Sequence, residues 1–225
     1  MSHTVRQYTR LQDAYDFFNQ KLWFGKLPAC LITFQRQANA RGYFSPDGFK
    51  ARSGENTTDE IALNPDTFAR YTDREILSTL VHEMAHLWQY HDGEPSRTGY
   101  HNTEWAEEME RIGLMPSSTE KPGGNRVGQH MTHYIQEGGP FDIACTVFLA
   151  DDTAIEWGST QSEPEEKAKS KKASAKSKTK FTCPDCGQNA WAKPGAMLAC
   201  ANVDEHAEKT TVIMIAVVSD SERED

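Results

Sequence analysis

The sequence predicts an α+β fold, with helices packed on a small β-sheet and a small β module after them. Apolar residues recur at helical spacing in the stretches 7–23 and 76–88. Short apolar runs bounded by Gly, Pro and Asn lie between these stretches, and such runs are typical of strands. Three of the five cysteines lie close together near the C-terminus, which indicates a metal site there.

Composition divides the 225 residues into three parts. Residues 1–160 are predicted to form the main domain, and residues 181–225 a small module with an acidic tail. Residues 161–180 contain seven lysines and only alanine among apolar residues, so they are predicted to be a flexible linker. Because the formal net charge is −9 despite these lysines, the acidic main domain is not expected to bind nucleic acid by itself.

Three helices and several strands are predicted in the main domain. The first helix includes Leu11 and Leu22, and the second begins after Thr72, whose capping-box partner is Glu75. The second helix is expected to end at 92–93, and the third to run from 102 or 103 to 113. Strands are predicted at 31–35, 42–44, 61–63, 131–135 and 143–149, with a loop over 45–59.

The second helix contains the sequence H-E-x-x-H, formed by His82, Glu83 and His86. Imidazoles at i and i+4 share one helix face, so these two can bind one Zn²⁺. Glu83 is placed to act on a water molecule as a general base and is not expected to be a ligand. The pattern recurs by chance, but its place in a capped amphipathic helix favours a metal site.

A catalytic zinc needs a third protein ligand and one open position. His91 follows His86 too closely to come from another element, and it is expected to interact with the dipole at the end of the helix. His101 is the predicted third ligand because the preceding loop is long enough to reverse the chain. Glu104, one turn along the third helix, is the alternative.

The remaining histidines and cysteines of the main domain receive simpler interpretations. His130, His133 and Tyr134 are expected to lie on an ordinary strand surface, and a role in stabilising an oxyanion is the alternative. Cys30 and Cys145 lie in apolar runs that resemble strands, so both are interpreted as buried structural thiols.

A second metal site is predicted in the C-terminal module, with the ligands Cys183, Cys186 and Cys200. Position 203, where a fourth cysteine would complete a second knuckle, is Val203. His206 is the tentative fourth ligand, Asp204 is another candidate, and an empty, degenerate site is the remaining alternative. Redox chemistry is disfavoured because no thioredoxin-like βαβ pattern surrounds the Cys-x-x-Cys motif.

Four stretches carry a resemblance to a known family: FNQKLWFGKLP, LVHEMAHLW, GYHNTEWAEEMERIGL and CPDCGQNAWAKPGAMLAC. With them the chain resembles the SprT-like (SprT/Spartan) zinc metallopeptidases. The resemblance implies a minimal zincin-like metallopeptidase domain followed by a zinc-ribbon-like module. It also implies a catalytic Zn²⁺ held by His82, His86 and His101, with Glu83 as general base. Because Spartan-like members cleave proteins crosslinked to DNA, it suggests DNA-associated substrates.

The expected function is therefore that of a zinc-dependent metalloendopeptidase with one catalytic Zn²⁺ and a second, structural Zn²⁺. A protein substrate is the expected partner, and DNA is a further candidate that the lysine-rich linker and the C-terminal module would contact. The alternative is a non-catalytic, zinc-binding factor associated with nucleic acid. The longest apolar run, 212–218, is too short to span a bilayer and no secretory leader is visible, so a cytoplasmic location is expected.

Overall fold

The computed structural model describes residues 2–150, 155–160 and 179–216. The chain divides into two compact units, Met1–Pro164 and Glu165–Asp225, and each is considered by itself. Nearly all of the predicted linker lies outside the described residues, as does the acidic tail after 216. The last two linker residues are described and begin a strand, β6 (Thr179–Thr182).

The described residues of the first unit form four α-helices: α1 (His3–Leu22), α2 (Asp73–Asp92), α3 (Thr103–Arg111) and α4 (Pro140–Leu149). The capping box predicted for α2 is confirmed, because Glu75 accepts a hydrogen bond from the Thr72 amide at 2.7 Å. Among the described residues, no helix combines the length and the apolar character needed to cross a membrane.

The main sheet of this unit has three strands: β1 (Leu31–Phe34), β2 (Gly42–Lys50) and β3 (Thr57–Leu63). β3 lies in the centre, parallel to β1 and antiparallel to β2. The predicted loop over 45–59 is wrong, because most of it belongs to β2 and β3. Pro46, Asp47 and Gly48 were the basis of that prediction, and an edge strand accommodates them where its register shifts between Ser45 and Phe49.

The predicted strand at 143–149 is also wrong, because this segment is the helix α4. Pro140 occupies the first turn of α4, where its missing N–H costs nothing. Phe141, Cys145 and Phe148 are buried on one helix face, whereas Ile143 and Val147 are exposed. A short apolar run fits either structure, and here burial follows the helical period.

The core of the first unit surrounds α2, which is buried almost continuously from Ile76 to Leu87. α1 and α4 meet through aromatic side chains, with the ring centroids of Phe18 and Phe141 5.4 Å apart. A two-stranded ribbon, β4 (Leu114–Ser117) with β5 (Thr132–Ile135), completes the unit. The strand predicted at 131–135 is thus confirmed. Burial on several sides holds α2 rigidly, which suits a helix that carries functional side chains.

The described part of the second unit contains small antiparallel sheets. β6, β7 (Asn189–Ala192) and β10 (Ile215–Ala216) form one sheet with β6 in the centre. β8 (Ala199–Cys200) pairs with β9 (Val212–Ile213), and a short 3-10 helix covers Val203–Glu205. The α+β prediction is confirmed for the chain, and the second unit also contains a cluster of three cysteines and a histidine.

Candidate metal centres

Three imidazoles converge between α2 and the residue that precedes α3, and we call His82, His86 and His101 the three-histidine cluster. One nitrogen of each ring lies within 4.8 Å of the corresponding nitrogens of the other two, so the group could hold a metal ion. His82 and His86 lie one turn apart on α2. His101 precedes α3 and is held by two backbone hydrogen bonds with Gly128, at 2.8 and 3.0 Å.

The spacing and proton positions of the cluster fit a metal. The Nε2 atoms of His86 and His101 are 3.1 Å apart. Two nitrogen ligands of tetrahedral zinc, each about 2.0–2.1 Å from the ion, are separated by roughly 3.3 Å. The Nδ1 of His101 faces the carbonyl oxygen of Gly128 at 3.2 Å, so this nitrogen carries the proton of the neutral ring. The Nε2 lone pair of His101 is then directed into the cluster.

Trp105, the third residue of α3, contacts all three imidazole rings. It is fully buried, and its ring centroid lies 5.3 Å from that of His86 in a stacked arrangement. The edges of His82 and His101 contact it at centroid distances of 5.0 and 4.3 Å. A rigid aromatic surface restricts the imidazole rotamers, so it helps to preorganise the cluster for a ligand.

Burial keeps the three imidazoles neutral, which is the form that binds metal. It lowers the pKa of His86 from 6.5 to about 3, with a further lowering from His101. Burial also lowers the pKa of His82 well below its ordinary value and lowers that of His101, although the Gly128 carbonyl opposes the second change. Because a buried imidazolium is costly, the lone pairs stay available over a wide pH range.

Glu83 is buried beside the cluster and faces the edge strand β2. Burial raises the pKa of its carboxyl group from 4.5 to about 8, although a hydrogen bond from the Phe44 amide acts in the opposite direction. The approach to β2 is close, because a Cβ atom at Gly42 would lie 3.3 Å from a Glu83 carboxylate oxygen. A carboxyl group that titrates near neutral pH can both take up and release a proton.

A cleft leads to the cluster and to Glu83. Its walls come from β2, from the C-terminal half of α2, from the segment 95–101 and from the segment 129–133. Polar side chains line these walls. A polypeptide segment bound in the cleft could therefore contact the imidazoles and the carboxyl group together.

Glu104, the alternative third ligand, and His91, which was not expected to be a ligand, both lie outside the cluster. Glu104 turns towards the end of α2, where it accepts hydrogen bonds from the Gln89 side chain at 2.7 Å and the Glu94 amide at 2.8 Å. The Nε2 of His91 lies 2.7 Å from the Asp59 carboxylate on β3, so this ring faces β3 and not the cluster. Neither side chain belongs to the three-histidine cluster.

His133 is the residue that sequence reasoning placed wrongly. It was expected on a strand surface, but it is only 7% exposed and its Nδ1 lies 3.1 Å from the Nδ1 of His82. Its neighbour His130 is exposed, as expected. A signal was present, because Met131, immediately before β5, alternates with His133 and Ile135 on β5, and this spacing indicates one face with apolar character.

The second unit contains another candidate site, the cysteine–histidine cluster of Cys183, Cys186, Cys200 and His206. The sulfur atoms of Cys186 and Cys200 are 3.7 Å apart, and the sulfur of Cys183 lies 3.5 Å from the Nε2 of His206. Tetrahedral zinc with bonds of about 2.3 Å to sulfur separates two thiolates by roughly 3.8 Å. The four side chains thus fit one ion, and they could hold a metal.

Hydrogen bonds prepare both kinds of ligand in this cluster. Burial raises the pKa of the Cys183 thiol, but hydrogen bonds from the amides of Cys186 and Asp185 and from the side chains of Cys186 and Cys200 together lower it to about 7. His206 donates from Nδ1 to the Thr210 carbonyl at 2.5 Å, which raises its pKa to about 9. Because His206 must be deprotonated at Nε2 to bind metal, ion binding here releases protons.

The two other cysteines belong to neither cluster. Cys145 is buried in α4, and Cys30 is half-buried just before β1. Burial raises the pKa of the Cys145 thiol to about 11 and that of Cys30 to about 12. Protonated thiols are poor nucleophiles and poor ligands, so both behave as structural residues.

Comparison with known proteins adds to this geometry. The profile described as the SprT-like family matches residues 11–126. A stretch of 58 residues is 50% identical to the "Uncharacterized protein in mucB 3'region" of Salmonella typhimurium, covering 26% of this chain and 78% of that relative. No solved structure matches. Because the profile covers more than half of the chain and includes all of the three-histidine cluster, the chain belongs to the SprT-like family.

Proposed function

We propose that the chain is a zincin-like metalloendopeptidase whose three-histidine cluster holds Zn²⁺ and whose general base is Glu83. The observation that carries this proposal is the convergence of three neutral imidazoles and a buried carboxyl group with a pKa of about 8 on one cleft. Membership of a family with a metallopeptidase-type function supports it. Imidazole ligands suit zinc, and three protein ligands leave a position open for substrate.

Bound zinc would supply Lewis acidity that polarises the scissile carbonyl group and activates water. The residues of the chain perform the proton transfers. Glu83, oriented by the Phe44 amide, takes a proton from the attacking water and later gives it to the leaving amine. The pKa of about 8 belongs to the metal-free chain, and the positive charge of a bound zinc would lower it towards neutral pH, so that the carboxylate form needed to accept the first proton would be favoured.

The test of this mechanism compares Glu83→Gln with Glu107→Gln, an exposed glutamate on α3. An unstructured protein is incubated with the full chain and zinc, and chelator-sensitive fragments are quantified. Losing the general base should slow cleavage by about 10²–10⁴-fold, whereas bound zinc and the activity of Glu107→Gln stay unchanged. Cleavage by Glu83→Gln at the wild-type rate would show that the proposed mechanism is wrong.

We also propose that the cysteine–histidine cluster holds a structural Zn²⁺. Three thiolates and one imidazole complete a tetrahedral set with no open position, which is typical of structural sites. Zinc stoichiometry tests both sites. The wild-type chain should bind two ions, and His101→Ala and Cys183→Ser should each bind one. One ion in the wild type that is lost only with His101→Ala would leave the second site unsupported.

A DNA-associated role is a separate proposal, and it rests on the outer face of the sheet β10-β6-β7. Trp191 on this face is 60% exposed and pairs across the strands with Lys180, and Ile215 on the same face is also exposed. Exposed aromatic rings beside lysines bind single-stranded nucleic acid by stacking on bases while the lysines contact phosphates. The lysines of 161–180 directly precede this face in the sequence.

Single-stranded DNA binding by the full chain tests this role. Trp191→Ala should weaken binding by about 5–150-fold, the equivalent of 1–3 kcal/mol for one stacked base. Ile213→Ala is the matched control, because Ile213 is equally exposed but lies in the other sheet. If the wild-type chain does not bind DNA even at low salt, the DNA-associated role fails and the peptidase proposal is unaffected.

A further inference from the structure

A row of hydrogen bonds runs behind His82, on α2 and β5. The Nδ1 of His82 lies 3.1 Å from the Nδ1 of His133, and the Nε2 of His133 lies 2.9 Å from the Ser78 hydroxyl oxygen. The Ser78 hydroxyl in turn contacts the Glu75 carbonyl at 2.8 Å. All three side chains of this row are buried, so water does not compete for these contacts.

The proton positions in this row follow from its last member. A carbonyl oxygen can only accept, so the single hydroxyl proton of Ser78 is donated to Glu75. The Ser78 oxygen therefore accepts from His133, whose proton must be on Nε2. A neutral His133 then has a lone pair on Nδ1, and this lone pair accepts a proton from the Nδ1 of His82.

The alternative proton arrangement would disable His82 as a ligand. If His133 carried protons on both nitrogens, the Nδ1 of His82 would have to accept a hydrogen bond from His133. The proton of the neutral His82 ring would then lie on the Nε2 of His82. A doubly protonated His133 would be a buried cation whose two ring partners, Ser78 and His82, are both neutral. Burial disfavours that form strongly, so the geometry selects the arrangement with a free Nε2 on His82.

We propose that His133 is a positioning residue that holds His82 in the tautomer whose Nε2 is free to bind the metal. The inference rests on the proposed metal site and identifies how the site is prepared. His101 is prepared in the same way by the Gly128 carbonyl, which accepts from Nδ1 at 3.2 Å. Groups that accept a hydrogen bond from a metal-ligating histidine fix the orientation of its ring and increase its basicity. The loss of such a group typically lowers metal affinity by about 10–100-fold.

Metal affinity of the full chain tests this role with two substitutions of the same residue. His133→Leu removes the acceptor, so affinity at the three-histidine cluster should fall by about 10–100-fold. His133→Asn places an amide oxygen near the position of Nδ1, so it should recover most of that loss. His91→Gln is the matched control, because His91 is a hydrogen-bonded histidine outside the cluster, on α2, the helix that also carries His82.

Cobalt titration distinguishes the two metal sites in one sample. Co²⁺ bound by thiolates shows charge-transfer absorption that Co²⁺ bound by imidazoles lacks, so the cysteine–histidine cluster serves as an internal reference. His133→Leu binding within twofold of the wild type at the three-histidine cluster would overturn the role of His133 alone. A wild-type chain that binds no ion at this cluster would overturn the proposed metal site together with it.

A second measurement uses the wild-type chain, so its main result does not depend on the folding of a variant. Nitrogen NMR of the wild-type chain with ¹⁵N-labelled histidine reports which ring nitrogen carries each proton. We expect His133 to be protonated at Nε2 and His82 at Nδ1, both in the metal-free and in the zinc-loaded chain. A proton on Nδ1 of His133 would overturn the proposal. Ser78→Ala should weaken the preference for this tautomer, because it removes the acceptor that selects it.

Discussion

Single residues at the first metal site show how burial changes ionisation. The imidazoles of the three-histidine cluster are kept neutral, and the carboxyl group of Glu83 is protonated over a wider pH range than an exposed glutamate. Both effects have one cause, since a low-dielectric environment disfavours the charged form of acids and bases alike. In the proposed mechanism they provide lone pairs for a metal and a proton carrier for catalysis, but they affect stability in opposite pH ranges.

Glu83 should destabilise the metal-free chain as the pH rises. Its ordinary pKa is 4.5 and its folded pKa is about 8, so between these values the unfolded state gains by ionising while the folded state stays protonated. Glu83→Gln removes this cost. The stability advantage of the Gln variant should grow by about 2–4 kcal/mol between pH 5 and pH 8, as measured by urea unfolding in excess chelator.

Titration of the buried histidines does not change the stability difference between the wild type and Glu83→Gln. Buried imidazoles with a lowered pKa stabilise the fold above about pH 6.5 and lose that contribution as the pH falls. This effect is common to the wild type and to Glu83→Gln, so it cancels in the difference. A difference that is the same at pH 5 and pH 8 would mean that the folded pKa of Glu83 is not raised.

At the scale of elements, the connection between α2 and α3 brings His101 back to the H-E-x-x-H motif. The Gln89 side chain donates at 2.7 Å to both Glu104 and Asn102, and the Glu104 carboxylate also accepts from the Glu94 amide. The Asn102 side chain donates to the Glu94 carbonyl at 3.1 Å and caps α3. These hydrogen bonds connect the end of α2 to the start of α3. Glu104 therefore affects the three-histidine cluster only by holding α2 and α3 together.

Glu104→Ala should therefore reduce stability without removing a ligand. The loss of hydrogen bonds to a partly buried carboxylate should cost about 1–3 kcal/mol in the free energy of unfolding. At saturating zinc the variant should still bind two ions, in contrast to His101→Ala. Glu107→Ala on the exposed side of α3 is the control for the loss of a charge. Loss of one zinc ion from Glu104→Ala would instead identify Glu104 as a ligand.

At the scale of the whole molecule, the two units differ in what stabilises them. The first unit has a large apolar core that includes four helices and the main sheet. The buried core of the second unit consists of Phe181, Cys183, Cys200 and Met214. Two of these four side chains are metal-ligand candidates, so the hydrophobic contribution is small and the ion would supply much of the folding free energy.

Removing the second metal should consequently unfold the second unit alone. We expect Cys200→Ser to lose hydrogen-exchange protection over 179–216, while α2 keeps the protection of the wild type. His101→Ala is the complementary control, because its first unit should stay folded through the apolar core after losing the ion. Equal protection of 179–216 in the wild type and in Cys200→Ser would show that metal is not needed for this fold.

The sequence by itself determined the features that depend on neighbouring positions along the chain. The capping box of α2, the shared face of His82 and His86, and the Cys183-x-x-Cys186 knuckle follow from local periodicity and spacing. The helix α4 and the bulged strand β2 did not follow, because short apolar or turn-rich segments fit more than one structure.

Only the tertiary structure decided which distant side chains meet. His101 and Glu104 are three residues apart and were both acceptable ligands, but the turn after α2 directs only the imidazole into the cluster. His133 reaches His82 across 51 positions because the ribbon β4–β5 carries it there. Contacts over such separations depend on how the chain reverses and packs, and local residue patterns do not contain that information.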